Sequence, residues 1–209
     1  MQLLFVHGMG RSPVSGWPML RQLKRRGIAV ATFGYLTARA DFDAIRRRLQ
    51  ARIVRLARRG DYAVVGHSLG GVLLRAALAD LPPEVPLPKR LFLLATPVHA
   101  SRLARKFQRR FAYRMLTGDC GQLLASDARM AALPPPRVPT TAIVGTRGLP
   151  WRPDPFGGEP NDGVVAVSET CADWLTDQVR IPAVHTLMPA SRAVAEIILD
   201  RLALGPARA

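Results

Sequence analysis

Gly66-His67-Ser68-Leu69-Gly70 sets a serine between two glycines, each two residues away. The residues before it, 62–65, read as a buried strand, and those after it, 69–79, as a helix. A serine on so sharp a strand-to-helix turn is held in a strained conformation. Glycine takes the places where side chains would collide. The turn lifts the hydroxyl above a sheet and sets the Leu69 N–H at a helix N-terminus, where negative charge is stabilised. The chemistry this suits is nucleophilic attack by Ser68 on a carbonyl carbon.

A serine hydroxyl needs a base, and the base needs an orienting acid. For a nucleophile on such a turn the chain order is serine, acid, histidine. Only His99 and His185 follow Ser68. His185 stands directly after a short strand in "RIPAVHTLM", whereas His99 has only Asp80 and Glu84 between it and the serine. His185 is the better base. The acid candidates are Asp154, Glu159, Asp162, Glu169, Asp173 and Asp177. Asp162 lies in "PNDGVVAV", where Asn and Gly favour a tight turn and the apolar run after it anchors the aspartate. Asp162 is chosen, with Asp154 in reserve.

An oxyanion forming at the carbonyl needs preorganised donors. Leu69 N–H supplies one. The loop "VHGMGRSP" after the first strand supplies the other, and Met9 N–H is the candidate. His7 and His67 read as structural neighbours of the site.

The elements that must position these residues alternate along the chain. Strands are expected at 2–6, 28–33, 62–65, 90–95, 140–144 and 178–181, and helices at 17–26, 42–58, 69–79 and 190–202. In the second helix Ile45, Leu49, Ile53 and Leu56 form one apolar face. The strand runs are continuously apolar, as in strands buried on both faces, so the fold class is α/β around a parallel sheet. Ligands of such sheets bind at the carboxyl ends of strands, so the chemistry should sit in the residues just after each strand.

The chain has 209 residues, 48% of them hydrophobic, which suits one domain spanning 1–209. No apolar run reaches the roughly 18 residues of a membrane span. The apolar start lacks a basic leader and reads as a strand, which sets the expectation of a cytoplasmic protein. Cys120 and Cys171 form no metal-binding pattern and read as free thiols unless the protein is exported. The formal net charge is +15, from 30 Lys and Arg against 15 Asp and Glu. The basic residues are spread along the chain, without a nucleic-acid-binding motif, so no specific nucleic-acid partner is expected.

The segments "FVHGMG" (5–10), "VVGHSLGG" (64–71), "LATP" (94–97), "NDGVV" (161–165) and "HT" (185–186) resemble the α/β-hydrolase superfamily, in its lipase and esterase branch. The resemblance runs along nearly the whole chain. It implies an α/β-hydrolase fold of about six mostly parallel strands with helices on both faces. It also implies Ser68 as nucleophile, Asp162 as acid, His185 as base, Met9 and Leu69 as oxyanion donors, and neither metal nor organic cofactor. The segment 96–139 has room for one sheet-covering helix and a few turns, so no large cap domain is expected.

The implied activity is cleavage of carboxylic esters or lipids through an acyl-enzyme. A thioesterase, a lipid deacylase or an acyltransferase would use the same triad, and a non-catalytic basic binding protein is the reading of a different class. "SRLARKFQRRFAYRML" (101–116) carries Leu103, Phe107 and Phe111 at helical spacing among basic residues. It reads as a helix packed on the sheet, or as one in peripheral contact with an anionic membrane surface. In the Pro/Gly-rich loop 146–163, Trp151 and Phe156 are expected to wall an acyl pocket. The oligomeric state is not legible.

Overall fold

The structure is a computed structural model and describes residues 1–203. The last six positions of the expected 1–209 domain lie outside the described residues. The elements run β1 (Gln2–Val6), α1 (Trp17–Arg25), β2 (Ala29–Phe33), α2 (Phe42–Ala57), β3 (Tyr62–His67), α3 (Leu69–Ala79) and β4 (Leu91–Leu94). They continue with α4 (Arg102–Phe107), α5 (Phe111–Ala125), α6 (Asp127–Ala131), β5 (Thr140–Gly145), β6 (Asp177–Ile181) and α7 (Arg192–Ala203). The strands form one six-stranded sheet in the order β2-β1-β3-β4-β5-β6. Every pairing is parallel.

The continuous apolar strands have the expected cause. Leu4, Val6, Val64 and Leu93 pack with α2, α3 and α5 on one face. Leu3, Phe5, Val65 and Phe92 pack with α1 and α7 on the other. Alternate side chains of one strand thus enter two separate cores. The apolar stripe of α2 (Ile45, Leu49, Ile53, Leu56) is buried, and Asp41 caps that helix by accepting the Ala44 N–H at 2.7 Å.

The chain winds outward from β1 to β2, then returns to β3 on the other side of β1. That reversal opens a crevice beyond the carboxyl ends of β1 and β3. The loop beginning at His7 leaves one edge of it, and Ser68 stands on the other.

The segment between β4 and β5 differs from expectation. It folds as α4, α5 and α6 rather than one helix, and 101–116 is broken at 108–110. Ser101 caps α4 through the Ala104 N–H, and the Arg110 N–H bonds back to the Phe107 carbonyl, closing a turn. The break has an apolar cause. A continuous helix would put Phe107 and Phe111 on one side; with the turn, Phe107 packs near Tyr113 and Trp151 while Phe111 is left in water. The second half of α5 is illegible in the sequence because Gly118 and Gly121 dilute its apolar pattern. Gly118 has φ 53 and interrupts the helix there. No separate cap domain forms among the described residues.

Cys120 is a buried free thiol, its pKa pushed up to about 12 by burial, and Cys171 is an exposed one. Among the described residues, no helix is long and apolar enough to cross a membrane, and no cluster of His, Cys, Asp or Glu could hold a metal ion.

Candidate active site

The turn between β3 and α3 carries Ser68 at φ 52, ψ −124, a conformation costing a non-glycine residue about 1–3 kcal/mol. It is enforced by crowding. A Cβ on Gly70 would lie 2.2 Å from the Val6 carbonyl oxygen, and one on Gly66 would lie 2.4 Å from the backbone of Gly71. Neither glycine tolerates a side chain, so α3 packs tightly against β1 and β3. The Ser68 N–H is fixed by the Leu94 carbonyl at 2.9 Å.

Asp162 and His185 meet. His185 Nδ1 lies 2.7 Å from Asp162 Oδ2, and the acid is 1% exposed. A carboxylate only accepts, so Nδ1 carries the proton and donates it to this bond. The other oxygen, Oδ1, accepts the Val164 and Val165 N–H groups at 2.9 and 2.8 Å. The His185 N–H donates to the Asp162 carbonyl at 2.9 Å, a second tie between the two loops. Nε2 of His185 is left as the basic nitrogen, and His185 lines the same cleft as Ser68.

The loop after β1 closes on the serine. A Cβ on Gly8 would lie 3.1 Å from Ser68 Cβ. Met9 also lines the cleft, and its N–H bonds to no protein group among the described residues. Leu69 N–H is the first of α3 and has no intrahelical partner. His7 shapes this loop. The Tyr35 N–H donates to its Nε2 at 3.3 Å, which leaves Nδ1 to donate to the Gly8 carbonyl at 2.8 Å. The Tyr35 ring stacks on it at 4.3 Å.

His67, read as a structural neighbour of the site, ties two of its segments together. Its Nε2–H donates to the His185 carbonyl at 3.0 Å, tying the strand that leads to Ser68 to the loop that carries His185. Nδ1 is buried and finds no hydrogen-bond partner among the described residues. Burial, reinforced by the neighbouring His185 ring, holds its pKa well below the ordinary value, so it stays neutral. The unfolded chain binds a proton at this residue below roughly pH 6.5, and the folded chain does not. Stability therefore falls as pH drops through that value, by up to about 1.4 kcal/mol per pH unit from this group. Urea unfolding at pH 7.5 and 5.5 should show the loss, and His67→Gln should reduce it. An unchanged slope in the variant would remove His67 as its source.

The other acid candidates are engaged elsewhere. Asp154 accepts the Phe156 and Gly158 N–H groups in an exposed turn. Glu159 holds Ser168 and Arg102, and Asp177 pairs with Arg201. Glu169 is buried and accepts the Ala166 and Arg102 N–H groups at 2.6 Å, bracing the chain after β4. Asp173 is exposed at the surface. His99 sits away from the cleft, its Nε2 against the Cys171 carbonyl.

The cleft has a volume of about 370 Å³. Its apolar wall comes from Leu103, Phe107, Tyr113, Leu116 and Leu124 of α4 and α5. Trp151 and Phe156, the expected wall, do not line it. The indole N–H of Trp151 needs an acceptor and finds the Gly163 carbonyl at 2.7 Å, which seats the ring behind Phe107 and beside the acid's turn. Phe156 is 2% exposed beneath its own loop. Leu103 and Phe107 are visible as an apolar stripe in the sequence, but a stripe does not say which neighbour it will face.

The sequence model described as "Alpha/beta hydrolase family" matches residues 3–206. No curated protein matches the chain. Several solved structures share its fold at low identity. A Bacillus licheniformis lipase, BlEst2 in mature form, superposes with TM-score 0.74 at 17% identity, over 95% of this chain and 90% of that one. The RedJ thioesterase of the prodiginine biosynthetic pathway in Streptomyces coelicolor gives 0.65 at 15%, over 96% and 88%. Phospholipase PlaB from Legionella pneumophila gives 0.60 at 19%, over 82% of this chain but 45% of its own. With the family's sequence model spanning nearly all of its length and the parallel sheet to match, this chain belongs to the alpha/beta hydrolase family.

Proposed function

We propose that this protein is a serine hydrolase that cleaves carboxylic esters with an apolar acyl chain. The observation that carries the reading is the buried Asp162–His185 pair at 2.7 Å, on a cleft that Ser68 also lines. His185 Nε2 takes the Ser68 proton as the hydroxyl oxygen attacks the ester carbonyl. The oxyanion is received by the Met9 and Leu69 N–H groups. His185 then passes its proton to the departing alcohol, leaving an acyl-Ser68. A water deprotonated by the same nitrogen releases the acid and frees the serine. The buried carboxylate keeps the imidazole in the one tautomer able to do this, and the chemistry needs no cofactor.

The wall of Leu103, Phe107, Leu116 and Leu124 supports an apolar acyl group, and the similarity to a lipase supports an oxygen ester. The test is a p-nitrophenyl ester series from acetate to palmitate, with fluorophosphonate labelling mapped by peptide mass spectrometry. Label on Ser68 and a preference for esters beyond acetate are expected. Phe107→Ala should move the preferred chain length upward. Absence of both label and turnover would sink the reading and favour a non-catalytic role. Label without ester turnover would redirect it to thioester cleavage or acyl transfer.

A further inference from the structure

The first turns of α5 present large apolar side chains to water. Phe111 is 78% exposed, Met115 60% and Leu116 70%. Phe111 and Met115 are four residues apart and share one side of the helix. Leu36, 57% exposed, stands in the loop after β2, which is tied to α5 at the next residue, where the Thr37 hydroxyl donates to the Leu116 carbonyl at 2.9 Å. These residues are not scattered. Leu116 also lines the catalytic cleft, so the exposed stretch of α5 adjoins it.

Both flanks of the patch are basic. On the α5 side stand Arg109, Arg110 and Arg114, all exposed and without a carboxylate partner among the described residues. The nearby acid on this helix, Asp119, is taken by Arg129 at 2.7 Å. On the other side Leu36 borders a shallow cavity of about 410 Å³ lined by Arg11, Arg39 and Arg48 and, among the described residues, by no acidic side chain. Arg11 is shared between that cavity and the cleft.

We infer that this face docks on an anionic lipid bilayer and sets the cleft mouth against it. The inference rests on the hydrolase reading only for its purpose, delivery of a lipid ester to Ser68. Protruding apolar tips ringed by guanidiniums match the two layers of a membrane surface. The tips enter the acyl boundary, and the arginines stay at the depth of the phosphates. An acidic protein would need a complementary concave or flat surface, whereas these side chains project from two separate elements.

The test is sedimentation with vesicles of phosphatidylcholine alone and of phosphatidylcholine mixed with phosphatidylglycerol in roughly equal parts. The wild type should sediment with the anionic vesicles. The paired changes Phe111→Ser with Met115→Ser, and Arg109→Gln with Arg114→Gln, should each weaken that partition about tenfold. The control pair, Arg58→Gln with Arg59→Gln, removes equal charge from the far end of the sheet, where Gly60 meets Gln2, and should change nothing. None of these residues lines the cleft, so turnover of soluble p-nitrophenyl butyrate should persist in every variant. Equal weakening in the control pair would reduce the effect to bulk charge and overturn the inference. So would binding indifferent to Phe111 and Met115, or no sedimentation, which would pass the face to an acidic protein. If soluble ester is not cleaved by the wild type, the activity reading fails while the vesicle result still judges the surface.

Discussion

Ser68→Ala is expected to lower kcat on p-nitrophenyl butyrate by about 10⁵-fold or more, with the thermal midpoint nearly unchanged. The two halves have separate causes. The proposed reaction forms its covalent bond at Ser68 Oγ, the atom that alanine lacks. Stability should hold because the positive φ of Ser68 is imposed by Gly66 and Gly70 pressed against neighbouring backbone, and alanine meets the same backbone strain as serine. The Oγ also makes no hydrogen bond to protein that its loss would break among the described residues. Circular dichroism checks the fold, and the fluorophosphonate label should vanish with the activity. Turnover at the wild-type level in this variant would mean a different nucleophile and would dismantle the proposed mechanism.

The main elements are legible in the sequence because their causes are local. Strands buried on both faces must be continuously apolar, and a surface helix must repeat near 3.6 residues, so the sheet and α2 can be read directly. The elbow is legible because its glycines answer a steric demand within a few residues of Ser68. His185 emerges from scarcity, since only two histidines come after the serine. The features that escape such reading depend on contacts made at a distance. The break between α4 and α5 comes from where Phe107 finds apolar company, and that company includes Trp151, distant in sequence. Trp151 leaves the expected wall for the same reason: its indole N–H is claimed by the Gly163 carbonyl, a partner no spacing rule names. The tie made by His67 is equally hidden, because its partner, the His185 carbonyl, is 118 residues away.

Asp162→Asn is expected to cut kcat by about 10⁴-fold while leaving KM and stability close to wild type. The asparagine Oδ1 can still accept the Val164 and Val165 N–H groups, so the turn keeps its shape. The amide nitrogen, however, then faces His185 Nδ1, and two N–H donors cannot share that contact. The imidazole answers by moving its proton to Nε2, the nitrogen that the proposed reaction needs bare to receive the Ser68 proton. Asp162→Ala differs in a telling way. It abandons both backbone N–H groups, one of them buried, and should also destabilise the fold by about 1–3 kcal/mol. The pair of variants therefore separates the acid's electrostatic part from its structural one. Asp154→Asn is the control, because Asp154 lies in the same long loop but accepts only from its own exposed turn. Its kcat should stay within about twofold of wild type, since surface changes away from such features have small effects. Loss of activity in Asp154→Asn with retention in Asp162→Asn would reverse the assignment of the acid, and steady-state kinetics on one soluble ester decides it.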